Sequence, residues 1–120
     1  MASVNITSVI SNASGQSLPV TGNFTCGGGL VCLTMSGSAW RPSPGLIYVM
    51  ISVQNSAGDG PELYAQVYTN EATSHKALIP IDVVLPDLAA DTYTVTINPV
   101  GDTVIDLNDY FNVTVTEYAD

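Results

Sequence analysis

The stretch Leu85-Pro86-Asp87-Leu88-Ala89-Ala90-Asp91-Thr92-Tyr93-Thr94-Val95-Thr96-Ile97 decides the fold. Thr92, Thr94 and Thr96 alternate with Tyr93, Val95 and Ile97. Successive side chains of a strand point to opposite faces, so this alternation makes one polar face and one apolar face. The run before it alternates in the same way, with Ile79, Ile81, Val83 and Leu85 set against Pro80, Asp82 and Val84. Pro86-Asp87 between the two runs is a turn signal. The stretch therefore reads as strand, corner, strand, and the second strand faces a core through Tyr93, Val95 and Ile97.

Leu88 to Val95, with Leu85 closing the strand before, resembles the E–F corner of immunoglobulin-like sandwiches. In such corners a Tyr near the start of the second strand bonds back to the backbone a few residues upstream. Bacterial and viral Ig-like repeats carry a similar pattern with Gly before the Thr, where this chain has Asp91. Asp tolerates a positive φ better than most residues. The resemblance covers residues 78–98 and implies an all-β, antiparallel immunoglobulin-like β-sandwich.

Reading outward from the corner, further strands fall at regular intervals. Val4, Ile6, Ser8 and Ile10 alternate with Asn5, Thr7 and Val9, and Ser11 to Gly15 reads as a turn. Leu18 to Thr25 is extended with a bend at Thr21-Gly22-Asn23, and Leu30 to Met35 resumes after three glycines. Ser36 to Gly45 reads as a loop, because its prolines exclude a ladder interior. Leu46 to Gln54 is apolar on both faces, the mark of a strand covered twice, whether by a loop of its own chain or by another subunit. Leu63, Ala65 and Val67 alternate with Tyr64, Gln66 and Tyr68, and Phe111, Val113 and Val115 mark the last strand. Seven to eight strands in one domain, residues 1–120, is the expectation, with residues 1–16 as a docking arm or edge strand.

Charge narrows the partners. The formal net charge is −9, with 11% charged residues against about 25% in typical domains. The first 58 residues contain no acid and one base, Arg41; every acid lies from Asp59 onward. Phosphate binding needs clustered Lys and Arg, so neither nucleic acid nor an anionic membrane is expected as partner. No apolar run approaches the ~18 residues of a membrane helix, and the N-terminus lacks the basic and apolar regions of a signal peptide.

Candidate sites are few. Trp40 beside Arg41 is the kind of pair enriched at interface hot spots, and Trp40 with Tyr64 and Tyr68 offers rings on which a sugar can stack. The competing reading has Trp40 capping the sandwich end and Arg41 answering an acid. Cys26 and Cys32 flank a glycine-rich turn and fit either a short disulfide loop or two reduced thiols. Asp102 with Asp106-Leu107-Asn108-Asp109 resembles part of a calcium loop, but calcium takes six or more oxygens and the EF-hand register fails, so a polar turn is expected and no metal or cofactor. His75 stands alone beside Lys76 with no nucleophile pattern around it, and Asp102 with Asp106 imitates a carboxylate couple only in its composition. Asn5, Asn12, Asn23 and Asn112 begin Asn-x-Ser/Thr triplets, as strands rich in these residues do by composition.

No catalytic constellation stands out, so the chain is read as a non-catalytic structural or interaction module rather than an enzyme. It is similar to small Ig-like proteins that decorate phage capsids or tails. That resemblance implies a major capsid or tail protein, sister copies, or both as partners, and the virion surface as location. The alternative is a carbohydrate-binding or adhesin module, extracellular or on a cell surface, using Trp40 and the tyrosines. The uncharged segment Met1 to Gln16 is the expected docking arm, since it lacks the charges that discourage edge pairing. Deleting residues 1–12 should then weaken assembly more than solubility.

Overall fold

The computed structural model describes residues 3–14 and 19–119. Among these residues nine strands follow one another: β1 (Ser3–Ser14), β2 (Val20–Cys26), β3 (Leu30–Ala39), β4 (Gly45–Gln54), β5 (Glu62–Thr69), β6 (Lys76–Ala77), β7 (Ile81–Leu85), β8 (Asp91–Pro99) and β9 (Tyr110–Ala119). Among the described residues there is no helix. One antiparallel sheet runs β1-β9-β3, with β6 and β7 both paired to the free edge of β3; the other runs β2-β8-β4-β5. The two sheets form a sandwich elongated to 51 × 25 × 21 Å.

β6 and β7 are one interrupted strand. Pro80 between them has no N–H to give a ladder. On its N-terminal side Leu78 donates to Gly37 O in β3, while Ile79 donates to Gln66 O in β5, so two neighbouring residues tie opposite sheets together. Counted as one, β6 and β7 bring the total among the described residues to eight, the upper end of the seven to eight expected.

The core is what the alternating patterns predict. Ile47, Val49, Ile51 and Val53 of β4 are fully buried, facing Val31, Leu33, Phe111 and Val113 across the sandwich. Each such side chain contributes roughly 1.5–3 kcal/mol through burial. In β8 the inner row is Tyr93, Val95 and Ile97, with the threonines outside. Phe24, directly opposite Tyr93 on β2, stacks on it with ring centroids 5.3 Å apart.

The corner closes as its residues imply. Tyr93 Oη donates to Ala89 O at 2.7 Å, and Cys26 Sγ donates to the same carbonyl at 3.3 Å. Burial pushes the Tyr93 hydroxyl above its ordinary value, so it stays a donor. The positive φ falls at Asp87 (60°), not at Asp91. Asp91 opens β8 instead, its carboxylate taking Ser56 Oγ at 2.8 Å and Thr92 N at 2.7 Å. These bonds, Ser56 first, hold it below the usual carboxylate range.

Several boundaries differ from the sequence reading. β1 continues through Ser11–Ser14, where a turn was expected; two register shifts against β9 absorb the extra residues, and Asn12 (φ 50°) donates its N–H to Asn112 Oδ1. The rest of that expected turn, at Gly15, and the start of the second extended segment, at Leu18, lie outside the described residues. β2 pairs with β8 without a break, so the bend expected at Thr21-Gly22-Asn23 is absent. β3 reaches Ala39, well into the expected loop, because the prolines that exclude a ladder begin only at Pro42. The strand order also departs from the immunoglobulin one, in which the first and second strands share a sheet with the fourth and fifth. Here β1 and β2 lie in different sheets. A corner motif reports one strand-turn-strand unit and leaves the global order open.

Candidate functional site

Three surfaces carry the residues that sequence reasoning singled out, and they differ in how fully their groups are already engaged.

The first is the end of the sandwich where β3 runs out. Trp40 bridges Val104 through its backbone, and its Nε1 donates to Asp106 Oδ2 at 3.0 Å. His75 lies beside the indole, centroids 6.0 Å apart, with Nδ1 2.8 Å from Asp109 Oδ1. Asp109 is fully buried; its Oδ1 also accepts from Ser38 Oγ at 2.7 Å and its Oδ2 from Asp106 N at 3.0 Å. Asp106 Oδ1 takes Asn108 N at 2.9 Å, and that bond is the main cause holding Asp106 below the usual carboxylate range. Trp40, His75 and Asp109 add to the effect, and desolvation opposes it.

His75, Asp106 and Asp109 bring ligand atoms within 4.8 Å of one another, the one such group among the described residues. Each of the four carboxylate oxygens there already holds a protein donor. The group is thus a closed hydrogen-bond network at a strand terminus, where backbone and indole donors need acceptors. His75, read as isolated, belongs to it; spacing of 31 and 34 residues gave no signal. Asp102 stands apart, engaged by Arg41 Nη2 at 3.3 Å.

Arg41 Nη1 also donates to Leu46 O at 2.8 Å, and its guanidinium lies flat against Gly45 (φ 147°), where a Cβ would meet Nη1 at 2.7 Å. Trp40 and Arg41 thus sit in the capping arrangement, the competing reading given above. The two thiols are free, Cys26 buried and Cys32 half-buried, so the disulfide alternative does not hold.

The second surface is the outer face of the β4–β5 pair. Tyr64 and Tyr68 project from it, 52% and 66% exposed, with Leu46 opposite Tyr68 and Met50 opposite Tyr64. Tyr48 tilts against Tyr64 at 6.3 Å. Val100 donates to Tyr48 O and Thr103 Oγ1 accepts from Tyr48 N, in-plane bonds that carry the β8 side of the ladder one step further, and Gly101 lies beside the Tyr48 ring. Tyr64 and Tyr68 are therefore on a sheet face, whereas Trp40 and Arg41 are in the end network.

The third surface is the outer face of the β1-β9-β3-β7 sheet. Residues directly opposite in register share a face. Val4, Tyr118 and Leu30 form one row across three strands, and Ile6, Thr116, Cys32 and Val84 form the next across four. Val4, Ile6, Leu30, Val84 and Tyr118 are 53%, 71%, 53%, 53% and 48% exposed. Below them the face turns hydroxyl-rich, with Ser8, Thr114 and Thr34 in one row with Asp82. A depression of about 360 Å³, lined by Thr34, Ser36, Pro80, Asp82, Asn112 and Thr114 among others, completes that end. Of the described acids only Asp82 lies on this face; Glu117, the acid nearest the apolar rows, points inward. Its carboxylate takes Gly27 N at 2.9 Å and Gly29 N at 2.8 Å, clamping the β2–β3 turn. The acid-free N-terminal half supplies β1 and β3, which is why the face carries a single acid and its apolar rows none.

These observations define the class as an all-β two-sheet sandwich with sparsely charged, partly apolar outer faces. No protein-family model matches the chain, and no curated protein matches it. Among solved structures it is similar to the globular domain of zebrafish complement 1qA protein, with 15% identity over 95% of this chain and 94% of that one and a TM-score of 0.55. It is also similar to Eiger TNF from S. frugiperda, with 12% identity over 98% and 86% and a TM-score of 0.57. At such identities the likeness is one of fold, and both neighbours are jelly-roll-like sandwiches.

Proposed function

We propose that this protein is a non-catalytic assembly module that decorates a virion, and that its assembly contact, with a capsid or tail subunit or with a sister copy, is the outer face of the β1-β9-β3-β7 sheet. The single observation that supports this reading is the neutral band of Val4, Ile6, Leu30, Val84 and Tyr118. Contiguous exposed apolar surface of this kind marks interaction sites. We read the sandwich as jelly-roll-type: with β6 and β7 counted as one strand, eight strands divide into two four-stranded sheets, as in double Greek keys. The immunoglobulin-like character is then confined to the corner around Tyr93.

The docking arm becomes, in this reading, an edge strand. β1 pairs with β9 along its length and places Ile10 in the core, 4% exposed. Deleting residues 1–12 therefore removes part of the fold, and point variants are the cleaner probe. The test is rebinding to virions that lack this protein. Wild type rebinds; the double variant Ile6→Glu, Leu30→Glu, still folded by circular dichroism, does not. Equal rebinding by both overturns the reading.

A second reading keeps one specific observation in its favour: Tyr64 and Tyr68 are more than half exposed on one face of β5, with Gln66 between them. Such rings suit a saccharide. Loss of glycan-array signal in Tyr64→Ala and Tyr68→Ala, with virion rebinding intact, supports that reading over the first.

A further inference from the structure

We infer that the β1-β9-β3-β7 face has a second copy of this chain as its occupant, pairing face to face about a two-fold axis. This rests on the docking reading above and names the partner of that same face.

Charge is the first argument. Two copies that each carry −9 repel one another over most orientations. The face holding one acid and neither of the two bases is where that repulsion is least. Arg41 and Lys76 are both engaged elsewhere, by Asp102 and Glu71. A basic partner would be drawn to the acid-bearing loops instead, at Asp59, Glu71, Asp87 and Asp102. A neutral partner surface, such as this same face, fits the neutral rows.

Area is the second. Three strands of ten to twelve residues and the five-residue β7, at ~4.8 Å spacing and ~3.3 Å per residue, give roughly 600 Å² in projection. Side-chain relief raises the accessible area above that figure. Stable interfaces bury about 800 Å² per partner, so a dimer on this face uses nearly all of it.

Geometry is the third. A two-fold interface sets one patch against itself. An axis lying in the interface and passing near the Ile6–Val84 row brings the apolar rows of both copies together, in the manner of aligned sheets packed ~10 Å apart. Cys32 lies in that row, half-buried, while Cys26 is buried in the core. The pairing therefore places two Cys32 thiols, one per copy, within reach of a short cross-linker.

The experiment combines light scattering across a hundredfold concentration range with cross-linking by a short bis-maleimide. Wild type is expected to rise from monomer to dimer mass and to cross-link through Cys32, with Cys32→Ser abolishing the product. Ile6→Glu and Leu30→Glu, placed on exposed positions so that folding is preserved, are expected to raise the dissociation constant at least tenfold. A chain that stays monomeric throughout, or a dimer whose mass and cross-linking both variants leave unchanged, overturns the inference. If the chain is monomeric yet the double variant fails to rebind virions, the docking reading stands and only the sister copy falls. If the double variant rebinds as wild type does, the docking reading falls as well.

Discussion

The two regions that differ most are the sandwich end around Trp40 and the outer face of the β1-β9-β3-β7 sheet. The end holds the residue types associated with binding: an indole, a guanidinium, an imidazole and three aspartates. Nearly all of their polar atoms are occupied by one another or by backbone groups. The sheet face holds Val, Ile, Leu, Cys and Thr, residues that attract no attention individually, and it leaves Val4, Ile6, Leu30, Val84 and Tyr118 about half exposed or more. Residue type indicates what a side chain is able to do; its engaged partners indicate whether it is free to do it.

This contrast predicts that the end governs stability and the face governs association. The largest stability effect is expected from Asp109→Ala, which leaves Ser38 Oγ, the His75 ring and Asp106 N without their acceptor. At 1–3 kcal/mol for a buried unsatisfied group, the loss should be about 3 kcal/mol, a fall of roughly 10 °C in melting temperature. The dimer constant, extrapolated to folded protein, should not move. A stable Asp109→Ala with weakened association would reverse the contrast.

Trp40→Phe keeps much of the ring and removes the Nε1–H bond to Asp106, so about 1 kcal/mol is expected in chemical denaturation. Sugar binding that disappears in this variant while stability is unchanged would make the end a binding site after all.

Acid separates the regions in opposite directions. Asp106, Asp91 and Glu71 all have lowered folded values, held chiefly by Asn108 N, by Ser56 and by Lys76 respectively. A depressed carboxylate contributes stability that is present above its unfolded value, about 4, and is lost as pH falls through the folded value. Thermal stability should therefore drop below pH 4. Association should strengthen as pH falls from 7 toward the isoelectric point near 4.1, because the charge that separates copies is being neutralised. Melting and light scattering across that range check both signs.

The smallest stability effect is expected on the face. Ile6→Glu and Leu30→Glu should change unfolding free energy by no more than about 0.5 kcal/mol, as exposed substitutions do. A large destabilisation would mean that the apolar rows serve the fold of the monomer.

Much of this fold is legible in the alternation of side chains. Tyr93, Val95 and Ile97 face inward, and the inner row of β4 is as its pattern predicts, because period two survives folding unchanged. Strand ends were harder to read: Ser36 to Ala39 pair with β9 or β6 although their composition is that of a loop, since pairing is decided by a partner strand 70 or more residues away for β9. The same remoteness hid His75 from Asp109 and Val4 from Leu30. A neutral N-terminal half was visible in the charge distribution. That it forms one face required the β1-β9-β3 register, which no local pattern encodes.

The most direct test is hydroxyl-radical footprinting of concentrated against dilute protein. Protection is predicted at Ile6, Leu30, Val84 and Tyr118, with Trp40, Tyr64 and Tyr68 modified equally in both samples. Protection centred on Trp40 or the β5 tyrosines, with Tyr118 and Leu30 unchanged, contradicts the account.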